Sequence, residues 1–139
     1  MTIIINTYTG PTRLEIILSA FRKCGVRDPD AEDQRDGLVE LNEMMAGWLG
    51  QGLDIGYATP EVNPGNLDDL SNIQPADVPA VVSALSMRLL PTLGQQAHPQ
   101  QVRNANREFA LLQGRYTVVP GMSLPYGFRG QGWQRWGNW

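Results

Sequence analysis

Apolar residues recur at helical spacing in four stretches of this chain, separated by segments rich in glycine, proline and asparagine. In the first, starting from Pro11, the apolar positions Leu14, Ile17, Leu18 and Phe21 keep the period, and Gly25 after Cys24 supplies a stop. The second opens at Asp28-Pro29-Asp30, with acids where a helix N-terminus favours negative charge. Its stripe of Leu38, Leu41, Met45, Trp48 and Leu49, widened by Met44, runs until Gly50 and Gly52. A third starts near Pro75 with Pro79 in or just after its first turn, and carries Val78, Val81, Val82, Leu85, Leu89 and Leu93; Pro91 is expected to kink or end it. The fourth runs from about His98 to Gln113 on Val102, Ala105, Phe109 and Leu112, with Gly114 as its expected stop. Four such stripes predict an all-α fold, a compact bundle of about four helices over residues 11–116.

What flanks and interrupts the bundle has a different character. Ile3-Ile4-Ile5 is too short for a core and reads as a brief strand or extended arm within residues 1–10. Residues 54–77 contain Pro60, Pro64, Pro75, Gly56 and Gly65, and a connection of that length usually binds something, here a neighbouring subunit. Residues 117–139 lack a helical period and are rich in glycine and aromatics, which predicts an extended tail. Each of Trp133, Trp136 and Trp139 can bury roughly 150 to 250 Å², so something is expected to cover them. The tail either docks on a partner, with Tyr126, Phe128, Arg129, Trp133, Arg135, Trp136 and Trp139 as anchors, or folds back on its own domain.

Charge sharpens the expectation of an assembly. The net charge of −3 conceals +3 over residues 1–27, −11 over residues 28–77 and +5 over residues 78–139. Such segregation suits a subunit that meets copies of itself head to tail; the alternative reading of the same charges is a solvated acidic helix face. The acidic run Asp28, Asp30, Glu32, Asp33 and Asp36 is a candidate intersubunit surface, and Arg103 and Arg107, four apart on the fourth helix, are a candidate basic counterpart.

Candidate chemistry is sparse. One cysteine excludes an internal disulfide, and with one histidine it leaves too few soft ligands for structural zinc. Cys24 closes an apolar helix face and reads as a buried thiol, while His98 before Pro99 reads as a cap or surface residue with no GxSxG motif to serve. A calcium loop counted from Asp28 needs glycine sixth and glutamate twelfth, where Asp33 and Val39 stand. No phosphate-cradling or dinucleotide motif occurs, so no metal and no cofactor are expected. The N-terminus has neither the basic start of a signal peptide nor a membrane-length apolar run, and no membrane partner is expected. Paired carboxylates for peptidoglycan cleavage cannot be recognised by pattern, and a cell-wall hydrolase stays open as an alternative, as does a small DNA-binding helical module.

Three stretches, LSAFRKCGV, LVELNEMMAGWLGQGLDIGY and AVVSALSMRLLP, resemble the head completion proteins of short-tailed bacteriophages, also called tail accessory factors or packaged DNA stabilisation proteins. The resemblance covers about residues 11–116, and most of its motif residues are core and turn residues, so it speaks to fold more directly than to function. It implies a non-enzymatic head-to-tail adaptor: a ring of identical subunits, twelve if it follows the portal, that joins the portal protein and closes the DNA-filled head. It further implies a platform for later tail proteins such as a nozzle or needle, packaged DNA passing through the channel without sequence-specific binding, and a place in the virion at the head-to-tail interface after synthesis in the bacterial cytoplasm. In such proteins the C-terminal segment tends to reach toward the portal.

Overall fold

The computed structural model describes residues 9–116, which form four helices: α1 (Arg13–Lys23), α2 (Ala31–Gly50), α3 (Val78–Thr92) and α4 (Pro99–Tyr116). The expected arm at Ile3-Ile4-Ile5 and the expected tail anchors all lie outside the described residues.

Each helix starts and stops for a local reason. Thr12 caps α1 by accepting from the Glu15 amide at 3.2 Å, and Asp30 caps α2 by accepting from the Asp33 amide at 2.8 Å. At the end of α1 the chain turns through Gly25 at φ +85°, a conformation that costs glycine nothing, and the Val26 amide returns to the Phe21 carbonyl at 2.9 Å. Pro91 sits in the last turn of α3, which ends one residue later. His98 caps α4 reciprocally: its Nδ1 accepts from the Gln100 amide at 3.1 Å while its own amide donates to Gln101 Oε1 at 2.9 Å.

The core is one cluster drawn from all four helices, with Ile16, Ile17 and Phe21 of α1, Leu38 and Leu41 of α2, Val81, Leu85 and Leu89 of α3, and Leu112 of α4 all fully buried. α3 is its centre. α1 and α2 pack on α3 and on one another, whereas α4 rests chiefly on α3. Trp48 and Phe109, with ring centroids 5.1 Å apart, tie the end of α2 to α4. α3 and α4 are antiparallel, since Asp77 at the start of α3 meets Arg115 at the end of α4. α1 and α2 approach closely at Gly37, where a Cβ atom would lie 2.7 Å from Ile17 Cγ2 and 3.1 Å from Phe21 Cε2.

Four details depart from the pattern read in the sequence. The buried face of α1 is Arg13, Ile16, Ile17, Ala20 and Phe21, so Leu14 and Leu18 are only half-buried: the stripe is rotated toward α3. Leu49 and Val102 are exposed, because each lies just past the edge of the strip its helix presents to the core. Gly50 belongs to α2, and the positive φ that follows falls at Gly52. α4 runs through Gly114 to Tyr116, because its last two residues are held by Asp77.

Candidate functional site

The connection between α2 and α3 is ordered by one buried arginine. Arg13 is the first residue of α1, 3% exposed, and lies on the same helical face as Ile16, Ile17 and Ala20. Its guanidinium points out of the core into the connection, where Nη2 donates to the Ala58 carbonyl at 2.6 Å and Nη1 to the Asn66 carbonyl at 3.0 Å. Nη1 also lies 3.5 Å from Asp69 Oδ2, a long contact to a mostly exposed carboxylate and therefore a minor contributor. Nε of Arg13 is buried with no acceptor. The guanidinium carbon sits 5.6 Å from the centre of the Tyr57 ring, within reach of a cation–π contact.

Tyr57 extends the anchor onto α2. Its hydroxyl donates to Asn42 Oδ1 at 2.6 Å, and Asn42 Nδ2 donates to the Pro64 carbonyl at 2.9 Å, next to the cis Asn63-Pro64 bond. Burial pushes the Tyr57 phenol above its ordinary range, with the Arg13 charge opposing that shift. The N-terminal side is fastened as well: the Ser71 amide and hydroxyl both donate to the Pro11 carbonyl, at 2.9 and 2.7 Å, and Thr12 pairs with Leu70 in an isolated antiparallel bridge. Gly10 lies so close to this segment that a Cβ would be 2.1 Å from the Ile73 carbonyl oxygen.

Between Arg13 and residues 58–70 the connection leaves an open cavity of about 860 Å³. Its wall carries the carboxylates of Glu61 and Asp69 beside Pro60, Pro64, Val62 and Leu70. Val62 is 79% exposed. Acidic and apolar groups in one concave surface suit an occupant that is itself apolar with a cationic head.

A second polar anchor closes the far end of the connection. Asp77, 1% exposed, precedes α3 and does not cap it through its side chain. Its carboxylate instead accepts from Arg115 at 2.5 Å and from the hydroxyl of Tyr116. That hydrogen bond, reinforced by burial, holds the Tyr116 phenol above its ordinary range.

The residues singled out by sequence are distributed as follows. Asp28, Asp30, Glu32 and Asp36 are exposed and Asp33 half-buried around the start of α2, where Asp30 is the cap. Arg103 and Arg107 are exposed on the outer side of α4, and Arg103 donates to Gln100 in its own helix at 3.1 Å. The subunit does not bring these acids and arginines together. Cys24 is buried, donates to the Ser86 carbonyl at 3.5 Å, and has its thiol pushed up by that burial. Among the described residues no group of three histidine, cysteine, aspartate or glutamate side chains is placed to hold a metal ion, and no helix is long and apolar enough to cross a membrane.

Sequence reasoning missed Arg13, Tyr57, Asn42 and the Asp77 clasp. A signal existed for Arg13, which continues the stripe Ile16, Ile17, Ala20 by one turn toward the N-terminus. The others carry no periodic mark, since their partners are carbonyls and carboxylates remote in the chain.

A comparison with curated proteins finds no match for the chain. Its family is nevertheless plain, because a family model, the P22 tail accessory factor, matches residues 8–132, the whole described bundle and part of the segment beyond it. The chain therefore belongs to the P22 tail accessory factor family and is a structural component of a phage tail, carried in the virion.

Proposed function

We propose that the chain is a head-to-tail adaptor: copies form a ring beneath the portal protein, close the DNA-filled head and carry the nozzle or needle proteins added later. In this reading residues 11–116 are the adaptor domain and residues 117–139 the segment that engages the portal, with Tyr126, Phe128, Trp133 and Trp136 as its main anchors and Arg129, Arg135 and Trp139 beside them. The observation that carries it is family membership, in a chain whose buried polar groups, Arg13 and Asp77, fasten the α2–α3 connection rather than form a reactive centre. The twelvefold order of the portal sets the expected number of subunits.

Exposed acids at the start of α2, Asp28, Asp30, Glu32 and Asp36, suit a lumen past which DNA slides, because like charge repels phosphate. No cofactor is needed for such a role, and the adaptor acts without turnover. Sedimentation of the chain alone, with portal, and with portal after deletion of residues 120–139 tests the proposal. Stoichiometric complexes on portal that disappear with the deletion are expected, and failure of the full chain to associate with portal would overturn the adaptor reading.

A further inference from the structure

We infer that neighbouring copies of this chain meet head to tail, with the outer face of α4 of one copy seated in the cavity beside Arg13 of the next. The inference rests on the ring reading above and names the surfaces that would build it. It begins from the large apolar side chains left exposed among the described residues, which are Val39, Leu49, Val62, Leu70, Val102 and Leu111. Three of these six fall on two surfaces: Val62 and Leu70 on the cavity, and Leu111 on the face of α4 that also carries Arg103 and Arg107, whereas Val102 lies on the opposite flank of that helix.

The two surfaces have opposite charge. Arg103, Arg107 and Leu111 follow one another at intervals of four along α4 and form one exposed stripe, with Leu111 58% exposed. The acid of that helix, Glu108, is turned away and accepts from Ser83 Oγ at 2.6 Å. The cavity wall carries two carboxylates, Glu61 and Asp69, against the single guanidinium of Arg13, and the connection that builds it belongs to the −11 segment. Cationic and apolar meets anionic and apolar, with opposite potentials setting the register and the apolar pairs excluding water.

Within one subunit the two surfaces leave each other's charge unmet: among the described residues no ion pair joins Arg103 or Arg107 to Glu61 or Asp69. A contact between two unlike patches on different parts of a subunit is heterologous, and repeated around an axis it closes a ring rather than a two-fold dimer. The rigid hold of Arg13 on Ala58 and Asn66 keeps the receiving wall in shape before a neighbour arrives.

Charge reversal on full-length protein assembled with portal tests the contact. Arg103→Glu with Arg107→Glu, and separately Glu61→Arg, are expected to weaken subunit–subunit association by about tenfold or more, and the chain carrying all three changes to recover most of it. All three positions are exposed, and circular dichroism checks that each variant is folded. In parallel, Val62→Cys and Leu111→Cys in one chain, treated with a short bismaleimide, are expected to give a ladder of covalent multimers on portal that neither single-cysteine variant gives, with the buried Cys24 unreactive. Rings that form on portal with unchanged strength in the reversed variants, and yield no ladder, overturn this contact while leaving the adaptor reading intact. Salt-sensitive capture of duplex DNA by α4, lost with Arg103→Glu and Arg107→Glu while subunit association persists, also overturns it in favour of a nucleic-acid face. An unaltered chain that never associates with portal removes both readings together.

Discussion

The helical core and the α2–α3 connection are ordered by different forces. In the core, Phe21, Leu41, Leu85 and Leu112 are buried among side chains from several helices, so stability is shared and failure is collective. In the connection, shape depends on a few directed bonds: Arg13 to Ala58 and Asn66, Tyr57 to Asn42, and Asn42 to Pro64. Dispersed apolar contact tolerates small errors, whereas a directed network fails at single atoms, because each carbonyl released inside the protein loses its only donor. A protein whose contact surface is built on such a network can lose that surface while keeping its fold.

The largest effect comes from truncating the core. Phe21→Ala is expected to cost about 3 to 5 kcal/mol of global stability, seen as a lower urea midpoint for all probes together. Arg13→Ala is expected to cost roughly 1 to 3 kcal/mol, chiefly from the buried Ala58 carbonyl left without a donor, but its distribution is the sharper test. Hydrogen exchange should rise at the Ala58 and Ser71 amides, both bonded within this fastening, while the middle of α3 stays protected. Lysine at position 13 should not rescue it, since an ammonium does not present the guanidinium's fork. Exchange rising evenly over all four helices after Arg13→Ala would erase the distinction between the two regions.

A smaller effect tests how tightly the core is fitted. Alanine favours a helix over glycine by about 1 kcal/mol, yet Gly37→Ala would place a methyl 2.7 Å from the branched Ile17 side chain, which is fully buried. Overpacking therefore outweighs propensity, and a net loss of about 1 to 2 kcal/mol is expected by thermal denaturation. A stabilised Gly37→Ala protein would show that α1 and α2 separate more easily than their contact implies.

The smallest effect belongs to pH. Tyr57 and Tyr116 have phenols raised in the folded state, the first chiefly by burial and the second chiefly by its bond to Asp77. Their contribution is fully present below the ordinary phenol value of about 10 and is lost as pH rises through the higher folded values. The unfolding midpoint should fall above about pH 10, and Tyr57→Phe should flatten part of that fall while costing about 1 kcal/mol at neutral pH through the lost bond to Asn42. An alkaline limb unchanged by Tyr57→Phe would mean the fastening does not carry the titration.

The helices were legible because the code for them is local. Period, cap and stop residues occur within one or two turns of each other, as with Asp30 and Asp33 or Phe21, Gly25 and Val26. Errors arose where a distant partner overrode a local signal: Gly114 reads as a stop, yet Arg115 and Tyr116 stay helical because Asp77 holds them. The acids and arginines proposed for assembly were legible as charge, since segregation is a property of the linear sequence.

What the sequence by itself determined is therefore the number of helices, their approximate limits, their apolar faces and the unequal distribution of charge. Tertiary structure alone decided that an arginine belongs inside, that residues 58–70 and Arg13 frame an open cavity, and that the acids at the start of α2 and the arginines of α4 are not brought together. The reason is physical: hydrophobic periodicity is set by the geometry of a single helix, whereas the partners of Arg13 and Asp77 lie some 38 to 56 positions away along the chain and meet only when the helices pack.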